Sequence, residues 1–366
     1  MRILVDFDGV KANYSGVPRA THDDVLSLVS AGIHVTLWLN NYTGSIDDLF
    51  EVAPEFLNKH RHLLDIDPSR PKNLNLWFSQ IIVRNIYQKF DFVLCSLFPA
   101  LGKNYKRIVR MHDPFGHTGS RLREFFYWDG KPKLVLARSF RNFIYMNNRK
   151  MSLTVPSSRF SLNRVIETYS LDSSNAKLVT CAVGPRLKIR ELSLRTRNPY
   201  FLFVGGLRQR KRPDLVAEAW SEIFSKLGVD LIIIGNLPII SLSKRAQKLA
   251  SLNHLKIINN ISTAKLRSLQ RDALACIFVS MGEGFGRPIA ESLYVGTPII
   301  VNNLPVFNEF SSKFVETFEL SNLKGLQELM LKKRLAISYN ETEKIMKYGD
   351  QFSYEAVGEV WKNILT

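Results

Sequence analysis

Two carboxylates, Glu283 and Glu291, bracket a glycine-rich loop whose residue types suit the binding of anions and hydroxyls. Ala275 to Ser280 is a short apolar run and reads as a buried strand. Met281 to Gly286 has no helical period and reads as a loop. Pro288 suits the first turn of a helix, where a missing N–H costs nothing. Ile289, Ala290 and Leu293 give that helix an inward face; Gly296 and Pro298 stop it, and Ile299 to Val301 is the next strand. The backbone N–H groups of Gly284, Phe285 and Gly286 are then expected at the positive end of a helix, which attracts anions. Glycines there let a ligand approach the backbone closely. Helical side chains tilt toward the N-terminus, so Glu291 is expected to aim at the same place as Glu283. Acidic residues also favour helix starts for purely structural reasons, but that leaves the Gly-Phe-Gly spacing unexplained.

The elements that must position this loop read as two repeats of one architecture. Arg2 to Asp6 is a strand, Ala20 to Ala31 carries helical spacing through Val25, Leu28 and Val29, and Ile33 to Leu39 is a second strand. This is a β-loop-α-β unit of Rossmann type. Phe92 to Ser96 and Arg107 to Met111 read as further strands, the latter followed by His112 at its carboxyl end, where ligands bind in such sheets. Leu153 to Val155 and Lys177 to Ala182 are expected strands, with a helix between them capped by Ser157 or Ser158. Gly184 to Pro199 is the candidate linker. Tyr200 to Val204 opens the second half, followed by the cationic run Arg208, Arg210, Lys211 and Arg212 and a helix from Asp214. A charge run is usually a solvated face; at a strand–helix junction it is well placed for phosphate. Val229 to Ile234 and Leu255 to Ile258 are strands, Ser262 caps a helix, and 355–365 is an amphipathic terminal helix.

Composition narrows the classes. The chain has 366 residues, 45% of them apolar, and a formal charge of +17. That supports full α/β cores and favours acidic partners. No apolar run approaches the roughly 20 residues of a membrane span. The opening residues carry charge and read as a strand rather than an export signal. Cys95, Cys181 and Cys276 sit far apart in apolar runs, without metal-ligand spacing, and fit reduced thiols. The expected location is therefore cytoplasmic. Residues 102–150 hold twelve Lys/Arg against three Asp/Glu, interleaved with aromatics. This composition suits peripheral contact with an anionic membrane face; a solvated basic face or nucleic-acid binding would show the same composition.

A carboxylate near hydroxyls and a helix end near phosphate is what a nucleotide-sugar site requires. The run Glu283, Gly284, Phe285, Gly286, Arg287, Pro288, Ile289, Ala290, Glu291, followed by Gly296, Thr297, Pro298, resembles the Glu-x7-Glu motif of the retaining GT-B glycosyltransferases of family 4, the glycosyl transferases group 1. The resemblance extends over nearly the whole chain. It implies two Rossmann-like domains facing across a cleft, 1–190 on the acceptor side and 198–345 on the donor side, with 346–366 crossing back to the first domain. It implies transfer of a hexose, mannose or glucose type, from a nucleotide diphosphate sugar to a glycan or lipid-linked acceptor, as in cell-surface polysaccharide or lipopolysaccharide synthesis. No metal or other cofactor is expected.

The same resemblance implies residue roles. Glu283 would hold the sugar hydroxyls and stabilise positive charge at the ring, and His112 would contact the sugar. Gly16 would lie against the diphosphate, Lys211 would neutralise it, the Gly284–Gly286 loop would cradle the donor, and Glu291 would bind the ribose. The arginine expected in the loop before Lys211 is replaced here by Gly206, so Arg208 or Arg210 is expected to supply that charge. Competing readings are a basic nucleic-acid-binding protein, a haloacid-dehalogenase-type phosphatase using Asp6 and Asp8, and an epimerase or phosphorylase of the same shape.

Overall fold

The computed structural model describes residues 1–6, 17–39, 45–50, 54–68, 89–95, 106–112, 152–184, 199–205, 209–235, 239, 242–259, 261–310, 313–334 and 338–366. The chain divides into two compact units: Met1–Pro185 with Phe352–Thr366, and Arg186–Gln351. Most of the candidate linker lies outside the described residues.

In the first unit, six parallel strands form one sheet: β1 (Arg2–Asp6), β2 (His34–Trp38), β3 (Leu64–Asp67), β4 (Phe92–Cys95), β5 (Lys106–Met111) and β6 (Ser152–Pro156). Their spatial order is β3-β2-β1-β4-β5-β6, the doubly wound order. Strand residues alternate between the two faces. Ile3, Val5, Val35, Leu37 and Leu94 pack with Val25, Leu28 and Val29 of helix α1 (Val17–Ser30), while Leu4, Trp38, Val93 and Cys95 cluster separately. Each fully buried Val, Leu or Ile contributes about 1.5–3 kcal/mol.

Helix α1 is buried on its polar side too, because the C-terminal helix Tyr354–Leu365 lies over it. The Tyr354 hydroxyl donates to Asp23 Oδ1 at 2.7 Å, and Ser30 Oγ donates to the Tyr354 carbonyl at 2.8 Å. A Cβ on Gly358 would sit 2.4 Å from the Ser27 carbonyl oxygen, so glycine sets how closely the two helices approach. Trp361 is fully buried, and the Arg110 guanidinium lies 5.4 Å from its ring centroid.

Residues 177–182 do not form the expected strand; only Ala176 bridges to Thr154. Val179 N still donates to the Pro156 carbonyl at 3.2 Å, but Pro156 has no N–H to return a bond, so the ladder stops; nearby carbonyls are taken by the buried Arg110 guanidinium. It donates to the carbonyls of Val179 at 2.5 Å and Thr180 at 3.1 Å, besides Val155 and Pro156 at 3.2 Å each. Ser158, rather than Ser157, caps the helix α2 (Arg159–Tyr169), accepting from Ser161 N.

The second unit repeats the plan. Its strands are β7 (Tyr200–Val204), β8 (Asp230–Ile234), β9 (Leu255–Ile258), β10 (Ala275–Phe278), β11 (Ile299–Asn302) and β12 (Val315–Phe318). All are parallel, in the order β12-β11-β10-β7-β8-β9. Strands β10 and β11 are buried at every residue, as a sheet covered on both faces requires. Helix α3 (Pro213–Leu227) seats Val216, Ala219 and Trp220 in the core with Phe201, Phe203, Leu231 and Ile277. In this strand order the winding direction changes between β1 and β4, and between β7 and β10, and ligands bind beyond the carboxyl ends of such strands. No helix among the described residues is long and apolar enough to cross a membrane.

Candidate functional site

The loop after β10 is built from its own side chains. Asn302, buried at the end of β11, accepts from Ser280 N at 2.8 Å and donates to the Ser280 carbonyl at 3.0 Å. This fixes the point where the chain leaves the sheet. The Ser280 hydroxyl donates to Glu283 Oε1 at 2.8 Å, and Gly282 N donates to that hydroxyl at 3.3 Å. The loop closes on Gly286, with φ of 97°, where a Cβ would fall 2.9 Å from the Phe307 ring. Gly286 is the N-cap of helix α4 (Arg287–Tyr294), supplies no side-chain cap, and is followed by Pro288 in the first turn. The positive end of this helix is therefore directed into the loop rather than neutralised by a capping side chain. Phe285 is buried, its ring 5.2 Å from that of Phe310.

The turn after β7 meets this loop. Met281 N donates to the Arg210 carbonyl at 2.8 Å. The Arg210 side chain donates through Nη1 to the Gly282 carbonyl at 2.5 Å and to Glu283 Oε1 at 2.6 Å. Lys211 Nζ also bonds Glu283 Oε1 and lies 4.3 Å from the Phe278 ring centroid. The Glu283 side chain is only 10% exposed. Burial alone would push its carboxyl up; the Lys211 and Arg210 charges and the hydrogen bonds from Lys211 and Ser280 outweigh burial and hold it below the usual carboxylate range. Two cations against one anion leave this trio with a net positive charge. Arg212 takes a different role: with φ of 47° it is the N-cap position of α3, and its guanidinium forks onto Asp214.

Glu291, one turn into α4 and buried, accepts from Arg287 Nε at 3.0 Å and from Gln270 Nε2 at 3.4 Å. The i,i+4 spacing puts Arg287 and Glu291 on one helix face. Thus Arg210, Lys211, Glu283, Gly284, Phe285, Gly286 and Glu291 all fall on the loops and helix start beyond β7 and β10. Gly16 and Arg208 lie outside the described residues, as does Asp8. Ser280, Asn302, Gln270 and Arg287 were not singled out from sequence; the only available signals were a serine leaving a buried strand and an asparagine ending the next one.

His112 follows β5 in the first unit, its side chain 9% exposed. Its Nδ1 is 3.8 Å from Cys181 Sγ, its Nε2 is 3.9 Å from Asp24 Oδ2, and its carbonyl accepts from Ser157 Oγ at 3.3 Å. Asp24 is itself bonded by Arg110 Nε at 2.8 Å. Asp6 ends β1. Of the basic segment 102–150, only 106–112 is described, and there Arg107 and Arg110 are interior, each 1% exposed. Those two charges belong to the core rather than to a basic surface.

Residues 186–320 match the family described as Glycosyl transferases group 1. The chain is 25% identical over 192 residues to the O-antigen chain mannosyltransferase RfbU of Salmonella typhimurium, a match that covers 51% of this chain and 52% of that protein. The chain thus spans about half the length of this curated relative. Among solved structures, WaaG, a glycosyltransferase involved in lipopolysaccharide biosynthesis, matches with a TM-score of 0.69 at 12% identity over 100% of both chains. Anabaena HepE in complex with UDP and glucose matches with a TM-score of 0.66 at 13% identity, over 99% of this chain and 98% of that one. Residues 186–320 are therefore similar to the glycosyl transferases group 1 family, in a chain that has the fold of the GT-B glycosyltransferases.

Proposed function

We propose that this protein transfers a hexose from a nucleotide diphosphate sugar to a glycan or lipid-linked acceptor, with retention at the anomeric carbon and without a metal ion. The observation that carries this reading is the Glu283 carboxylate held by Lys211 and Arg210 beyond β7 and β10, beside the start of α4. One spot thus offers an anion for developing positive charge and cations for a departing diphosphate. As the bond from the anomeric carbon to the diphosphate breaks, its electron pair leaves with the phosphate. Lys211, Arg208 and the α4 N-terminus take up that negative charge, the work a divalent cation does elsewhere. Glu283 faces the sugar and stabilises the ring's positive charge; Glu291 binds the ribose hydroxyls. His112 is assigned a part in turnover. Mannose is the first donor sugar to test, since RfbU is a mannosyltransferase, and HepE in complex with UDP and glucose supports a nucleotide donor. RfbU and WaaG also support a place in surface-polysaccharide synthesis.

The experiment is a panel of nucleotide sugars, scored for thermal stabilisation and for slow release of nucleoside diphosphate. One donor should stand out in both; phosphate release from simple esters with no response to any nucleotide sugar would overturn the reading. The membrane contact is tested by flotation with anionic liposomes at low and high salt: binding only at low salt supports a basic segment docking on headgroups.

A further inference from the structure

The run Arg210, Lys211, Arg212 looks uniform in sequence, yet the three side chains do three things. Arg212, at the N-cap position of α3, pairs with Asp214, and Lys211 meets the Glu283 carboxylate. Arg210 reaches the backbone of the carboxylate's own loop. Its carbonyl accepts from Met281 N, and its Nη1 spans the Gly282 carbonyl and Glu283 Oε1. It therefore touches three consecutive residues of the loop, and its side chain is only 10% exposed. We infer that Arg210 is a positioning residue for Glu283 rather than a ligand of the donor diphosphate, a deepening that rests on the role proposed above for Glu283.

The chemistry favours arginine for this task. A guanidinium carries several donors in one rigid plane and can bond a carbonyl and a carboxylate together, whereas an ammonium is a flexible point charge. Loss of the fork would let the loop relax and move the Glu283 carboxylate away from the sugar. Misplacement of a catalytic group by about 1 Å costs on the order of 100-fold in rate. The diphosphate would still meet Lys211 and the helix end, so affinity for a bare nucleotide should hold.

The test uses Arg210→Lys and Arg210→Gln in the full chain, with GDP and UDP as binding probes and the preferred nucleotide sugar as the hydrolysed donor. Both variants should lose turnover, on the order of 100-fold, while Kd for the bare nucleotide stays within about twofold of wild type. Arg210→Lys should not restore turnover. In the double variant with Glu283→Gln, turnover should be no lower than in Glu283→Gln alone, because Arg210 acts through that carboxylate. The thermal shifts of the two single variants should likewise be non-additive, a readout independent of activity. The inference is overturned if Arg210→Lys restores turnover, if nucleotide affinity falls with turnover, or if the thermal shifts simply add. Should wild type bind no nucleotide and hydrolyse no donor, the nucleotide-sugar reading fails, and the thermal cycle still decides the loop contact.

Discussion

Replacing Glu283 by Gln keeps the shape of the side chain and removes its charge. In the structure, one carboxylate oxygen accepts from Lys211 Nζ, Arg210 Nη1 and Ser280 Oγ. An amide oxygen can accept the same bonds, but as neutral-acceptor bonds worth about 1 kcal/mol less each for the two cations. The cations also lose the anion that screens their mutual repulsion. The sum is a loss of about 2–4 kcal/mol, in line with about 3–5 kcal/mol for removing one member of a buried ion pair. For a unit the size of Arg186–Gln351 this lowers Tm by about 5–10 °C. The same arithmetic makes an unusual binding prediction. A nucleoside diphosphate brings negative charge to Lys211, whose charge the carboxylate no longer offsets, so Glu283→Gln should bind the bare nucleotide more tightly, by about 1–2 kcal/mol, or roughly 5–30-fold. Turnover should fall by on the order of 100–1,000-fold, because the anion facing the sugar is gone. Calorimetry, thermal melts and donor hydrolysis on one preparation give all three numbers. The pH dependence follows from the lowered carboxyl of Glu283. Its stabilisation is fully present above the unfolded glutamate value of about 4.3 and is lost as pH falls through the lower folded value. The Tm gap between wild type and variant should therefore persist from neutrality to about pH 5 and close only in stronger acid. Weaker nucleotide binding by Glu283→Gln would refute the charge assignment.

Lys211→Ala should weaken bare nucleotide and intact donor alike by about 1.5–3 kcal/mol, measured by calorimetry; Arg208→Ala should act in the same direction, because Gly206 occupies the place of the family's arginine. Glu291→Ala should weaken nucleotide binding while leaving turnover at saturating donor largely intact, and the reverse pattern in steady-state kinetics would reassign the two carboxylates. Activity should survive exhaustive EDTA treatment; complete loss restored by magnesium or manganese would return attention to Asp6 and Asp8. Asp24→Ala should cost about 3–5 kcal/mol in denaturant unfolding, because it leaves the buried Arg110 guanidinium without its carboxylate.

The parts of the fold legible in sequence were those governed by local rules. The apolar runs of β1, β7, β10 and β11 and the Ser262 cap are each decided within a few residues. Strands β3 and β12 were missed because edge strands are half-exposed and short; Leu64–Asp67 and Val315–Phe318 carry no continuous apolar signal. Residues 177–182 read as a strand because they are largely apolar, but the facing Pro156 has no N–H to continue the ladder, and Arg110, some 70 residues earlier, takes the Val179 and Thr180 carbonyls. Asp23 and Asp24 look like the wet side of an amphipathic helix until Tyr354 and Arg110 arrive from distant segments to bury them. At the site, the Gly-Phe-Gly spacing announced the helix start, and the match to the family's lysine singled out Lys211. The division of labour among Arg210, Lys211 and Arg212 was illegible, because it depends on how the turn after β7 docks on the loop after β10. Ser280 and Asn302 were silent for the same reason: their partners are 22 residues apart in sequence.

The central claim is donor cleavage with retention at the site formed by Lys211 and Glu283. Real-time proton NMR of the anomeric signal, with the nucleotide sugar selected by the panel, tests it most directly. Using an α-linked donor, wild type should release or transfer the sugar first in the α configuration, with release nearly abolished in Glu283→Gln. A β product appearing first, or unchanged release by Glu283→Gln, would contradict the account.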